Sequence, residues 1–323
     1  MIMGLMQSND PRAIRAQAEH AQKMYDNSIS RNTRISYKYD LNKFRVMGYE
    51  LPASPMDIVR YMSQVSKDYN PNTIARHLKA LRFYHKINNF VDPTDDVMVR
   101  RIFKGIKNTY SKPLKKAKAL TVEDMKKIDA YYNTLDTMVA QRNNTFLQIG
   151  FFGAFRRSEL VNIRLDHLTF TKDGVEILIP RSKTDQEGQG QVCALPFMKG
   201  GLCPVLILKS WIETLGLKEG FLFPPLSKGD KILSVIKPIN IDVLYLAIKA
   251  AALACELPEA ERYSGHSLRR GFATEAAKRG ASMSAIMKHG RWQDIGTVNG
   301  YIEEATKFVD NAASVLDMEY TSR

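Results

Sequence analysis

Ser264-Gly265-His266-Ser267-Leu268-Arg269-Arg270-Gly271 sets a histidine and an arginine three residues apart in a helical context. That spacing brings both side chains to one helix face, so an anion held by Arg269 lies within reach of a titratable imidazole. Arg270 points about 100° away. The same octapeptide also fits a capped helix with a structural histidine. Working outward, Gly153-Ala154-Phe155-Arg156-Arg157-Ser158-Glu159-Leu160 puts a guanidinium after an apolar run and a carboxylate three residues on, a spacing at which side chains meet on a helix. Alone, that pair is a weak signal, because Arg and Glu three apart form a surface ion pair more often than a catalytic site. Downstream, His289-Gly290-Arg291-Trp292 is followed by Asn299-Gly300-Tyr301-Ile302, in a stretch of helix and turn. Taken singly, Tyr301 reads as a half-buried helical tyrosine.

Between these motifs, Val175-Glu176-Ile177-Leu178-Ile179-Pro180 and Gln191-Val192-Cys193-Ala194-Leu195-Pro196 read as paired strands around a polar turn holding Ser182, Lys183, Thr184 and Asp185. An apolar helix is expected over Phe146 to Phe155, and Thr121 with Glu123 and Asp124 marks the start of another. Earlier in the chain, helices are expected from about Ser30, capped at Asn32 or Thr33 with Ile35, Leu41, Phe44 and Met47 as its apolar stripe, and from Ser54-Pro55 with Ile58, Val59, Met62 and Val65 inward. A third opens at Asn70-Pro71, with Ile74, Leu78 and Leu81 on one side and Arg76, Lys79, Arg82 and Lys86 on an adjoining one. The whole is mainly α with a small antiparallel β-sheet.

At 323 residues the chain has room for two domains, and 44% hydrophobic with 25% charged residues is the composition of a soluble globular protein. No apolar run reaches the length of a membrane span, and the apolar start Met1 to Met6 is too short for a signal-peptide core. Three widely spaced cysteines, Cys193, Cys203 and Cys255, offer neither a disulfide framework nor a tetrathiolate zinc site, which suits reduced cytosolic thiols. A formal net charge of +13 implies an anionic partner, with nucleic acid foremost. From Arg100 to Lys118 eight Lys and Arg residues occur with no acidic residue among them. The part containing Lys112, Lys115 and Lys116, broken by Pro113, reads as a linker lying on phosphate. The expected organisation is an arm over 1–20, a helical domain over 21–110 with a basic face, a basic linker over 111–118 and a larger, mostly helical domain from 119 onward.

Phosphoryl transfer needs cations around the non-bridging oxygens, an in-line nucleophile and an acid for the leaving oxygen. The order Arg156-x-x-Glu159, Lys183 in a hairpin turn, His266-x-x-Arg269, Trp292 and then Tyr301 nine residues later supplies each in turn. This series resembles the catalytic domain of the tyrosine site-specific recombinases, the phage-integrase family. The Trp and its distance to the Tyr look most like the Cre branch. The resemblance covers nearly the whole chain and implies a helical core-binding domain plus a catalytic domain forming a C-shaped clamp on DNA. It further implies that residues 306–323 dock on a neighbouring protomer.

By that resemblance, Tyr301 attacks the scissile phosphate to give a 3′-phosphotyrosine and a free 5′-hydroxyl, with no metal or other cofactor. Arg156 and Arg269 clamp the non-bridging oxygens, and Lys183, favoured over Lys172 by its Ser-Lys-Thr turn, protonates the leaving oxygen. His266 takes the tyrosine proton or holds phosphate, Glu159 fixes the first arginine, and Trp292 donates its indole N–H. Of each doubled arginine the first is the catalytic one, and Arg157 and Arg270 serve the DNA backbone or the surface. Arg76, Lys79, Arg82, Lys86, Lys112, Lys115 and Lys116 complete the expected DNA contacts. The implied partner is double-stranded DNA with an inverted-repeat site, bound by a homotetramer on two sites. The setting is a prokaryotic cytoplasm or nucleoid, with a phage, plasmid or mobile element as the source. Two other readings are a type IB topoisomerase, which the compact N-terminal helical domain disfavours, and a non-catalytic architectural DNA-binding protein, which the full set of catalytic residue types disfavours.

Overall fold

The computed structural model describes residues 28–113, 115–180 and 190–308, with 15, 17, 19, 20, 24 and 313 besides. The chain divides into two compact units, Met1–Leu114 and Lys115–Arg323. No helix among the described residues is long and apolar enough to cross a membrane.

In the first unit, helices α1 (Arg31–Val46), α2 (Pro55–Val65), α3 (Pro71–Ile87) and α4 (Val97–Tyr110) enclose one core. The cap of α1 is Ser30, upstream of the expected Asn32 or Thr33, because its hydroxyl accepts the Thr33 N–H. Ser54 and Asp57 form a capping box at α2, with Pro55 in the first turn where its missing N–H does no harm. Asn70 caps α3. The core is built from Phe44, Ile58, Tyr61, Met62, Val65, Ile74, Leu81, Val99 and Ile106, with Leu41 and Met47 against it. Ile35, expected on the same stripe of α1, is exposed. At 100° per residue it stands half a turn out of phase with Phe44.

In the second unit, α5 (Val122–Asn133) starts at Thr121, whose hydroxyl accepts the Asp124 N–H while the Asp124 carboxylate accepts the Thr121 N–H. The buried helix α6 runs Met138–Phe152 and so begins and ends earlier than expected. Thr137 caps it, and Gly153 closes it ahead of Ala154, which is left-handed at φ 47°. A short α7 (Arg157–Val161) leads to strands β1 (Leu168–Phe170), β2 (Gly174–Ile179) and β3 (Gln191–Pro196). The expected hairpin forms as β2 and β3, antiparallel with Ile177 opposite Cys193, and β1 adds a third strand on the other edge of β2. Period-two alternation turns Val175, Ile177 and Ile179 inward.

Helices α8 (Pro204–Leu215), α9 (Ile241–Ala254), α10 (Gly265–Lys278), α11 (Met283–Gly290) and α12 (Ile295–Thr306) complete this unit. Its main core gathers residues from Leu120 to Leu268, including Phe146, Phe151, Phe155, Trp211 and Phe223. A second, smaller cluster of Ala273, Ile286 and Val298 joins α10, α11 and α12, and Trp292 and Tyr301 pack against it. The fold is mostly helical with one small antiparallel sheet, as the hydrophobic periodicities indicate.

Candidate active site

The N-terminus of α10 fixes the first group of side chains. Ser264 caps the helix and exchanges hydrogen bonds with Ser267. Gly265 is needed there because a Cβ would stand 2.1 Å from Cδ of Arg157, which lies across the helix start. His266 is exposed, whereas Arg269 and Arg270 are both buried.

Arg269 Nη1 donates to the Ala154 carbonyl at 2.5 Å, and its guanidinium lies 3.9 Å from the centre of the Trp292 ring. Its Nη2 is buried with no hydrogen-bond partner among the described residues. Burial, and then the neighbouring Arg156, push its pKa down to about 9. An anion between the two guanidiniums would relieve both effects, since it supplies the missing acceptor and the opposite charge.

Arg156 differs from the expectation in one respect. It is the residue preceding α7, in extended backbone, and meets Glu159 through a capping box instead of along a helix face. Glu159 Oε2 accepts the Arg156 N–H at 3.0 Å and Oε1 accepts Arg156 Nη1 at 2.7 Å. Burial works to raise the Glu159 pKa, but the hydrogen bonds from Arg156 and the charge of Arg291 outweigh it and hold the carboxyl below its ordinary value. The carboxylate therefore stays ionised and orients Arg156, whose side chain keeps 20% of its surface exposed.

Trp292 connects Arg269 to α12, its ring 6.1 Å from that of Tyr301. Gly290 makes room, because a Cβ there would fall 1.7 Å from the indole. The structure thus brings Arg156, Glu159, Arg269, Trp292 and Tyr301 into one series of contacts, with His266 one turn before Arg269 on the same helix. Lys183 lies outside the described residues. Among them, no group of three or more His, Cys, Asp or Glu side chains is placed to hold a metal.

The residues expected on DNA divide into two kinds. Lys79, Lys86, Lys112, Lys115 and Lys116 are exposed. Arg76 is instead held by the buried Asp40 in two hydrogen bonds of 2.8 Å, and Arg82 by Thr94, Asp92 and Asp95. Arg157 packs beneath the start of α10. Arg270 is not at the surface: it donates to the Ala117 carbonyl and to Glu304 of α12, and lies 5.9 Å from the Tyr301 ring. Its 100° offset from Arg269 carries it toward α12, not toward solvent.

Sequence reading passed over Arg291. Its buried guanidinium donates to the His289 and Gly153 carbonyls and pairs with Glu159 at 3.4 Å. No spacing rule announces a partner 132 residues away.

A mostly helical domain that gathers paired arginines, a tryptophan and a tyrosine beside a small sheet is that of an enzyme that cleaves and rejoins DNA. The chain belongs to the phage integrase family, whose sequence profile matches residues 118–307. An integrase/recombinase described as a xerD homolog, from Selenomonas ruminantium, is 31% identical over 90% of this chain and 87% of its own length. The recombinase cre of Escherichia phage P1 is 26% identical over 78% of this chain and 76% of its own, which gives partial support to a Cre-like branch. The fold is shared with the XerH recombinase bound to palindromic difH substrate, with a TM-score of 0.64 and 16% identity over 89% of this chain and 80% of that one. It is also shared with a lambda integrase dimer bound to a COC′ core site, with a TM-score of 0.58 and 14% identity over 92% and 82%.

Proposed function

We propose that this site-specific recombinase uses Tyr301 as its nucleophile. The phenol oxygen attacks the scissile phosphorus, the bond to the 5′ oxygen breaks, and a 3′-phosphotyrosine forms. Its phosphodiester bond energy is conserved, so a 5′-hydroxyl from a second strand reverses the step without an external energy source. Arg156 and Arg269 hold the two non-bridging oxygens and stabilise the charge that grows on them. Lys183 gives the leaving 5′ oxygen its proton, and His266 accepts the tyrosine proton or binds phosphate. Glu159 keeps Arg156 in place, and Trp292 places the Arg269 guanidinium against its ring while its N–H serves the phosphate.

The observation that supports this reading best is Nη2 of Arg269, buried beside Arg156 with no hydrogen-bond partner among the described residues, while Trp292 links Arg269 to Tyr301. Buried arginine nitrogens left unsatisfied are expensive unless a ligand completes them. The exposed lysines of α3 and of the basic 111–118 segment would follow the phosphate backbone of double-stranded DNA, with residues 21–110 as the core-binding domain and 119–305 as the catalytic one. Four protomers on two inverted-repeat sites, linked through residues 306–323, would make the complete machine, in a prokaryotic cytoplasm and encoded by a phage, plasmid or mobile element.

The test incubates the wild-type protein and Tyr301→Phe with nicked DNA bearing candidate inverted repeats, and scores a protease-sensitive covalent adduct on a denaturing gel. The adduct is expected with wild type and absent from the variant. An adduct that persists in Tyr301→Phe assigns the nucleophile elsewhere.

A further inference from the structure

Arg291 sits at the left-handed end of α11, at φ 58° and ψ 43°, a conformation that L residues other than Gly, Asn and Asp seldom adopt. An arginine at the end of a helix ordinarily reaches for solvent or for the last carbonyls. This one turns inward until only 4% of its side chain is exposed. Its Nη1 donates to the His289 carbonyl at 2.9 Å and its Nη2 to the Gly153 carbonyl at 3.1 Å, and the guanidinium lies 4.8 Å from the centre of the Phe155 ring.

The segment it grips is the one that presents the phosphate-site arginines. Gly153 caps α6 in right-handed backbone and Ala154 turns left-handed, so the helix ends there and their carbonyls must find other donors. The Ala154 carbonyl accepts from Arg269 and stands 3.5 Å from Arg291 Nη2. The Arg291 side chain also pairs with Glu159, while its own main-chain carbonyl accepts from Arg156 Nη2 at 3.4 Å. The next residue is Trp292, against which Arg269 lies. One residue therefore touches the supports of both arginines, and its two terminal nitrogens are taken up by the His289 and Gly153 carbonyls and by Glu159, whereas Arg269 Nη2 has no partner among the described residues.

We infer that Arg291 is a positioning residue for strand cleavage: it locks the Gly153–Arg156 turn and Glu159 so that Arg156 and Arg269 converge on one phosphate. The inference rests on the reading that those two arginines clamp the phosphate. A lysine at 291 keeps the positive charge beside Glu159 but has no planar fork to span Glu159 and two carbonyls at once.

The test measures single-turnover cleavage of a nicked site at saturating DNA, with DNA affinity determined separately, for Arg291→Lys, Arg291→Met, Arg156→Lys and the double variant Arg291→Lys with Arg156→Lys. Arg291→Lys is expected to cleave about a hundredfold slower, the size of effect that a misplacement of about 1 Å produces, with affinity nearly unchanged. Because Arg291 acts through Arg156 as well as Arg269, the double variant should be faster than the product of the two single losses predicts, a non-additivity that general loss of stability does not produce. If Arg291→Met fails to fold by circular dichroism, the lysine variant decides. Wild-type cleavage by Arg291→Lys, a rate loss matched by lost affinity, or losses that multiply in the double variant would each overturn the inference. Arg156→Lys cleaving at the wild-type rate would instead sink the phosphate-clamp reading on which it depends.

Discussion

Replacing Glu159 by glutamine tests the electrostatic frame of the site with almost no change of volume. The side chain is 2% exposed, and its two oxygens divide three donors between them: Oε1 takes Arg156 Nη1, while Oε2 takes the Arg156 N–H and faces Arg291 Nη2. An amide has one acceptor oxygen, so in either orientation its NH₂ meets a donor. One lost charge-assisted bond is worth about 1.5–3 kcal/mol, and two guanidiniums left without their counter-charge bring the total to about 3 kcal/mol, the low end for breaking a buried pair. For a unit of this size that is a fall in Tm of roughly 6–12 °C, read by scanning calorimetry at neutral pH.

The pH dependence supplies a second check with a defined sign. Because the folded carboxyl titrates below its ordinary value of 4.5, its stabilisation is fully present above that pH and is lost as pH falls through the lowered folded value. The difference between wild-type and Glu159→Gln stability should be flat from neutral pH down to about 5 and shrink below about 4.5. A variant that melts within about 1 °C of wild type, or a difference that stays constant into acid, would refute the argument that Glu159 works as a buried anion.

Two further substitutions separate structural from DNA-binding cations. Arg76→Ala leaves the buried Asp40 without its bidentate partner and should lower the stability of the first unit by about 2 kcal/mol, a figure reduced because Arg76 itself is 45% exposed. Lys79→Ala should leave urea unfolding unchanged and lower the salt slope of DNA binding by about 1; a slope change with Arg76→Ala and none with Lys79→Ala would reverse the assignment. Gly290→Ala drives a methyl into the Trp292 ring and should destabilise by about 1–3 kcal/mol while depressing adduct formation. Since Trp211 is the only other tryptophan and is fully buried, an unchanged fluorescence spectrum would show that Trp292 had not moved.

Much of this protein is written in local rules. Caps such as Ser54 and Thr121, the period-two alternation of 175–179 against 191–195, and helical stripes such as Ile58, Met62 and Val65 each depend on neighbours a few residues away. Together they are enough to define the class of fold, and the charge adds the anionic partner. The pairs Arg156 with Glu159 and His266 with Arg269, and then Trp292 and Tyr301, could be singled out from sequence as well, because they fall in a few short local motifs.

What only the tertiary structure decided is how the cations are spent. Arg76, Lys79 and Arg82 look alike along α3, but Asp40 lies 36 residues from Arg76 and Asp92 lies beyond the end of the helix. Only the packed chain shows that two of the three are neutralised by buried or half-buried carboxylates. Arg270 and Arg291 make the same point within the second unit. The sequence points Arg270 to the DNA backbone or the surface and marks no role for Arg291, and both are drawn inward because main-chain carbonyls and a carboxylate from distant segments converge on them. A charge is settled by whatever long-range partner repays its desolvation, and local periodicity holds no record of that partner.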